Sequence, residues 1–164
     1  MRIDRRTFFG GASAAALAAA GAILLGRGTE ASAETFEVNL TPEQWRRRLS
    51  PAQYRVLREQ ATERAGSSPL NDEHRRGTFV CAGCGLPVYR SQDKFDSGTG
   101  WPSFTRPIRG AVRTRPDNTL FMTRTEVHCR RCGGHLGHVF DDGPPPTGQR
   151  WCMNGVALRF IPGV

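Results

Sequence analysis

Lysine is all but missing from this 164-residue chain, where Lys94 stands alone within a Lys plus Arg total of 23. Positive charge is therefore carried by arginine, in short clusters at 46–48, 75–76 and 130–131, with no long basic run and no basic face interleaved with aromatics. That pattern argues against a nucleic-acid partner and reads as solvated surface coloured by an arginine bias. No internal repeat is convincing beyond two Cys-x-x-Cys pairs, which excludes a repeat array. Cysteine is scarce as well: of five, Cys152 in "RWCMNG" is the only one outside those pairs.

The first 33 residues read as an address. "MRIDRRTFFGG" is a basic start with Arg5 and Arg6 adjacent, an Ala/Gly/Leu-rich stretch runs from Phe8 to Leu25, and Ala31-Ser32-Ala33 is a small-x-small cleavage signal. Arg5-Arg6-Thr7-Phe8-Phe9 resembles the twin-arginine export motif, and the glycines at 10, 11 and 21 make the apolar stretch weaker than a general secretory one. The expectation is cleavage after Ala33 and export of a folded passenger into the periplasm or another extracytoplasmic space. The alternative is an N-terminal membrane anchor, for which the stretch is barely long enough and rich in glycine. No cysteine follows the signal, which argues against lipid attachment there.

Residues 34–164 are enough for one domain with one core. The formal charge of +8 becomes +6 on cleavage, since Arg2, Arg5, Arg6 and Arg27 leave with Asp4 and Glu30. Thr41-Pro42-Glu43 and Ser50-Pro51-Ala52-Gln53 each offer a capping side chain followed by proline, predicting two short helices, the second running to about Arg64 with Gly66 as its stop. From Gly77 the pattern changes to short β-type runs split by Gly and Pro: "TFV", "PVY", "AVRT", "TLFMTRTEVH", "HVF" and "ALRFI". The expected class is a small, mainly β, antiparallel domain with short N-terminal helices.

"CAGCG" supplies Cys81 and Cys84, "CRRCGG" supplies Cys129 and Cys132, and 44 residues separate the pairs. Four sulfurs in two knuckles suit one tetrahedral structural Zn2+ per chain, with Gly85 and Gly133 letting the backbone turn behind the metal. Two disulfides or a redox pair are the alternatives in an exported protein. Zinc loaded during cytoplasmic folding would mask the thiolates before export.

Cys152 is then the remaining thiol, and an unpaired thiol in an oxidising compartment is a liability unless reactivity is its purpose. A buried inert cysteine is the plain alternative. If 150–160 is extended, Cys152, Asn154, Val156, Leu158 and Phe160 share one face, forming a pocket floor. His135 and His138 follow the second knuckle closely, and Asp141 or Asp142 could orient one of them.

Over roughly 40–162 the chain resembles methionine sulfoxide reductase B, in "LTPEQW", "SPAQYRVLREQATE", "GTFVCAGCGLPVY", "FDSGTGWPSF", "RTEVHCRRCGGHLGHVFDDGPPPTGQRWCMN" and "ALRF". The resemblance implies two antiparallel β-sheets with N-terminal helices, and reduction of methionine R-sulfoxide, free or in oxidised proteins, with a thioredoxin-like or small-thiol reductant regenerating the enzyme. It implies Cys152 as nucleophile, Asn154, His135 and His138 around it with His138 as the preferred proton donor, Trp101 against the substrate methyl, and Cys81, Cys84, Cys129 and Cys132 as zinc ligands. Two positions depart from the family: Thr99 stands where many members carry a resolving cysteine, and Leu120 where some carry histidine. A zinc-ribbon binding module and a thiol peroxidase are the competing functions. The first leaves "GWPSF" and the two histidines unexplained, and the second is separated by comparing peroxide with methionine sulfoxide as substrate.

Overall fold

The structure is a computed structural model and describes residues 34–119 and 122–163. The expected signal at 1–33 and Leu120 lie outside the described residues. Among the described residues nine strands form two antiparallel sheets: β1 (Gly77–Cys81), β2 (Pro87–Arg90) and β9 (Leu158–Pro162) in the order β2-β1-β9, and β3 (Lys94–Phe95), β4 (Ser103–Phe104), β5 (Val112–Asp117), β6 (Arg124–Cys129), β7 (His135–Phe140) and β8 (Arg150–Met153) in the order β3-β4-β8-β7-β6-β5. The mainly β class with two antiparallel sheets is as expected. The two-residue strands β3 and β4 were not anticipated, because so short a pair has no alternation to read.

Helices α1 (Pro42–Arg48) and α2 (Pro51–Glu59) begin where the cap signals place them. Thr41 and Ser50 accept from Gln44 and Gln53 backbone N–H groups, and those glutamines return the bond to the cap N–H, closing two capping boxes. α2 stops at Glu59, not near Arg64, because Gln60 takes a left-handed conformation with φ 56°. The following segment is thereby freed to run past the sheet, where Glu63 is used by the site.

Phe79, Tyr89, Phe104, Leu136 and Met153 fill the core with no exposed surface, and Trp45 and Leu57 bring the helices to it. Tyr89 stacks on Phe104 at 4.3 Å between ring centres, and its hydroxyl donates to Met153 Sδ at 3.1 Å. The core thus holds down the residue next to Cys152. The 150–160 stretch is not one extended strand: β8 ends at Met153, and a 3-10 turn at Gly155–Ala157 precedes β9. Cys152 lies in the six-stranded sheet and Leu158 in the other, so the expected common face does not form.

Candidate active site and metal centre

The two knuckles are turns of the same build. Gly85 and Gly133 have φ of 76° and 66°, and their N–H groups donate to the Cys81 and Cys129 carbonyls at 2.8 Å. A Cβ on Gly133 would meet the Phe36 ring at 2.5 Å, so glycine is needed there on two counts. The turns join β1 to β2 and β6 to β7, which places two cysteines at each sheet.

The four sulfurs lie within 4.8 Å of one another, with Cys81 to Cys132 at 3.7 Å and Cys84 to Cys129 at 3.5 Å. Zn–S bonds of about 2.3 Å in a tetrahedron need sulfurs about 3.8 Å apart, whereas a disulfide needs about 2.05 Å. All five cysteines are free thiols. Hydrogen bonding among the sulfurs pushes the Cys81 and Cys132 thiols up while it pulls Cys84 and Cys129 down. A divalent cation is what would allow four thiolates to stand this close together. The arrangement suits a metal that clamps one sheet to the other.

Cys152 sits on β8 between β4 and β7, paired with Ser103 on one side and His138 on the other. A Cβ on Gly137 would stand 2.1 Å from the Cys152 carbonyl oxygen, so glycine lets β7 close against β8 here. Cys152 is half-buried and opens onto a cavity of about 130 Å³ that it shares with Trp101, His138, Phe140, Arg124 and Asn154. A larger cavity of about 610 Å³, between α2 and the 155–158 turn, carries neither thiol nor imidazole. The chemistry goes with the smaller one.

His135 and His138 are three apart, a spacing that would put them on opposite faces of a regular strand. The β6–β7 register shifts between Val127 and His128, so that His135 pairs with His128 but Gly137 with Val127. This bulge brings both imidazoles to one side, with ring centres 5.3 Å apart. Only His138 lines the cavity; His135 lies behind it, 2 % exposed, with Nε2 unpartnered. Neither is oriented as expected. Asp142 instead takes two bonds from Arg150, at 2.9 and 2.8 Å, while His138 Nε2 bonds Asp117 at 2.7 Å and His135 Nδ1 bonds Glu126 at 2.8 Å. The partners come from β6 and, across it, from the end of β5, rather than from residues further along the chain.

Arg150, fixed by Asp142, lies 4.3 Å over the Phe140 ring. Its affinity for its proton is raised first by Asp142, with Cys152 adding to it, which places a permanent cation beside the sulfur. Trp101 Nε1 donates to the Glu63 carbonyl at 3.1 Å. Asn154 accepts from Glu63 N–H at 2.9 Å and donates to the Leu136 carbonyl at 3.1 Å, so its amide holds the wall together. The Glu63 carboxylate accepts from the Gly155 and Val156 N–H groups. Glu63 was not legible as a site residue, since an acid just past a helix carries no signal of its distant partners.

Residues 49–162 match the family described as the SelR domain. A peptide methionine sulfoxide reductase MsrB of Thiobacillus denitrificans is 57% identical over 123 residues, covering 74% of this chain and 93% of the relative. Its counterpart in Bradyrhizobium diazoefficiens is 58% identical over 121 residues, covering 73% and 87%, and one in Leptospira interrogans is 48% identical over 126 residues, covering 76% and 96%.

Proposed function

The chain belongs to the methionine sulfoxide reductase B family, and from that premise we propose that it reduces the R-sulfoxide of methionine, free or in oxidised proteins, with Cys152 as nucleophile. The activity is that of an oxidoreductase acting on sulfur, and its use is repair of oxidised protein. The observation that carries the assignment to Cys152 is its place in a cavity with Trp101, His138 and Phe140, while the other four cysteines are drawn into the metal cluster.

The Cys152 thiolate attacks the sulfoxide sulfur as the oxygen takes a proton from His138, with the Arg150 guanidinium standing beside the sulfur. The oxygen passes to the cysteine sulfur, methionine leaves as the two-electron-reduced sulfide, and Cys152 becomes a sulfenic acid. An external thiol, from a thioredoxin-like protein or a small molecule, condenses with it to a mixed disulfide and water. A second thiol then displaces Cys152 and leaves as the oxidised reductant. Trp101 and Phe140 supply the apolar wall for the substrate methyl group, and Asn154 keeps that wall attached to β7. Zinc bound by Cys81, Cys84, Cys129 and Cys132 supplies structural cross-linking of the two sheets.

Reduction assayed with separated sulfoxide diastereomers tests the reading. Cys152→Ser should abolish turnover of the R form with zinc content unchanged, and His138→Ala should lower turnover by about 10² to 10⁴. Near-normal turnover by Cys152→Ser, or preference for the S form, overturns it.

Residues 1–33 are proposed to send the folded enzyme out of the cytoplasm by the twin-arginine route, on the strength of Arg5-Arg6 and the Ala31-Ser32-Ala33 site. Replacing Arg5 and Arg6 with Lys should leave the precursor in the cytoplasm; normal export of that variant sinks the route.

A further inference from the structure

The end of β5 brings to His138 a carboxylate that no local spacing announces. Asp117, the last residue of β5, has Oδ2 2.7 Å from His138 Nε2, and the same oxygen accepts from the Arg124 guanidinium at 2.7 Å. Its other oxygen accepts from the Thr119 hydroxyl at 2.7 Å and the Thr119 N–H at 3.0 Å. These bonds, those of Thr119 first, hold the Asp117 carboxyl far below the ordinary carboxylate range. An ionised carboxylate can only accept, so the His138 proton beside it sits on Nε2. Nδ1 is then the nitrogen left for the cavity that His138 shares with Cys152.

We propose that Asp117 is a positioning residue for His138: it fixes the ring with Nε2 protonated and stabilises the imidazolium whose second proton, on Nδ1, goes to the sulfoxide oxygen. The proposal rests on the reductase reading above for the destination of that proton, and on the contact of His138 Nε2 with an ionised carboxylate for the tautomer.

The groups that face His138 are Asp117 from β5, Arg124 and Glu126 from β6, His135 from its own strand and Cys152 from β8. Burial is the largest influence and lowers the His138 pKa; Asp117 opposes it, while Arg124 and His135 act with it. Glu126 is already committed to His135 and Arg115. Taking the charge from Asp117 therefore removes the main support for the imidazolium, and the protonated form is lost at lower pH.

The test uses the zinc-loaded protein with Asp117→Asn and the conservative Asp117→Glu. Nitrogen-15 NMR of the imidazole should find His138 with its proton on Nε2 in the unmodified protein, and on Nδ1 or in exchange between the two in Asp117→Asn. With methionine R-sulfoxide, Asp117→Asn should lose about 10- to 100-fold in kcat with KM within about two-fold, and the alkaline limb of its kcat/KM profile should move to lower pH. Asp117→Glu should recover part of the loss. A Nδ1-protonated His138 in the unmodified protein overturns the proposal without any variant having to fold. So does a loss in Asp117→Asn carried by KM with the limb in place, which marks Asp117 as a residue that only shapes the cavity. An unmodified protein that does not reduce the sulfoxide defeats the reductase reading instead, and the NMR result still decides the Asp117–His138 relation.

Discussion

Thr99 Oγ1 lies 3.9 Å from the Cys152 sulfur, where a second thiol would have to stand to close a disulfide with it. The hydroxyl is held there by Ser97 at 2.8 Å, and Ser97 bonds Ser103, the strand partner of Cys152, at the same distance. A sulfenic acid on Cys152 thus faces hydroxyls, and the remaining four cysteines are gathered elsewhere in the cluster.

A one-cysteine cycle follows for the proposed enzyme. Without reductant and with excess R-sulfoxide, each chain should release about one methionine and become labelled at Cys152 by a sulfenic-acid trap, with zinc retained. Thr99→Cys should convert this to an internal disulfide, losing two thiols per methionine and the label together. A disulfide from Cys152 to a knuckle cysteine in the unmodified protein, formed with zinc release at the rate of turnover, overturns the scheme and leaves the activity standing.

Metal analysis should find about one zinc per chain. Cys81 is buried and belongs to β1, so Cys81→Ser both breaks the ligand set and frees one sheet from the other, and the variant should be largely unfolded at ambient temperature. A folded, zinc-free Cys81→Ser protein with unchanged near-ultraviolet circular dichroism argues against the clamp.

The knuckles, the lone Cys152 and both helix starts were legible because each is a local code: two cysteines around a turn, or a cap with proline after it. Asp117 and Glu126 were not, because their pairing with His138 and His135 depends on strand register and on a bulge at Val127/His128 that spacing alone does not announce. Asp141 and Asp142 looked better placed in the sequence and are worse placed in space. Glu63 shows the same limit, since it serves the site through contacts 38 residues away at Trp101 and 91 residues away at Asn154.

Gly137 provides a test that touches no reacting group. In Gly137→Ala the new methyl would meet the Cys152 carbonyl oxygen at 2.1 Å and Met153 Cα at 2.9 Å, both backbone atoms that a rotamer change cannot move. β8 must shift, at a cost of about 1–3 kcal/mol for overpacking. The expected result is a lower melting temperature and a fall in kcat at full zinc occupancy. Unchanged stability and turnover would mean that β7 and β8 are not closed together at this point.

Glu126 gives the fold an acid-sensitive tie. Burial would raise its carboxyl, but His135 and Arg115 hold it down at about 2 against an ordinary value of 4.5. A folded pKa below the unfolded one adds stability that is fully present above the unfolded value and is lost as pH falls through the folded one. Acid also protonates the cluster thiolates, so the informative quantity is the difference between the unmodified protein and Glu126→Gln, which share that cluster. Above the ordinary value of 4.5 the variant should unfold at lower urea, and below it that margin should shrink and close as pH approaches 2. A margin that stays the same across the acid range would mean that the charge on Glu126 does not support the fold and that only its shape does.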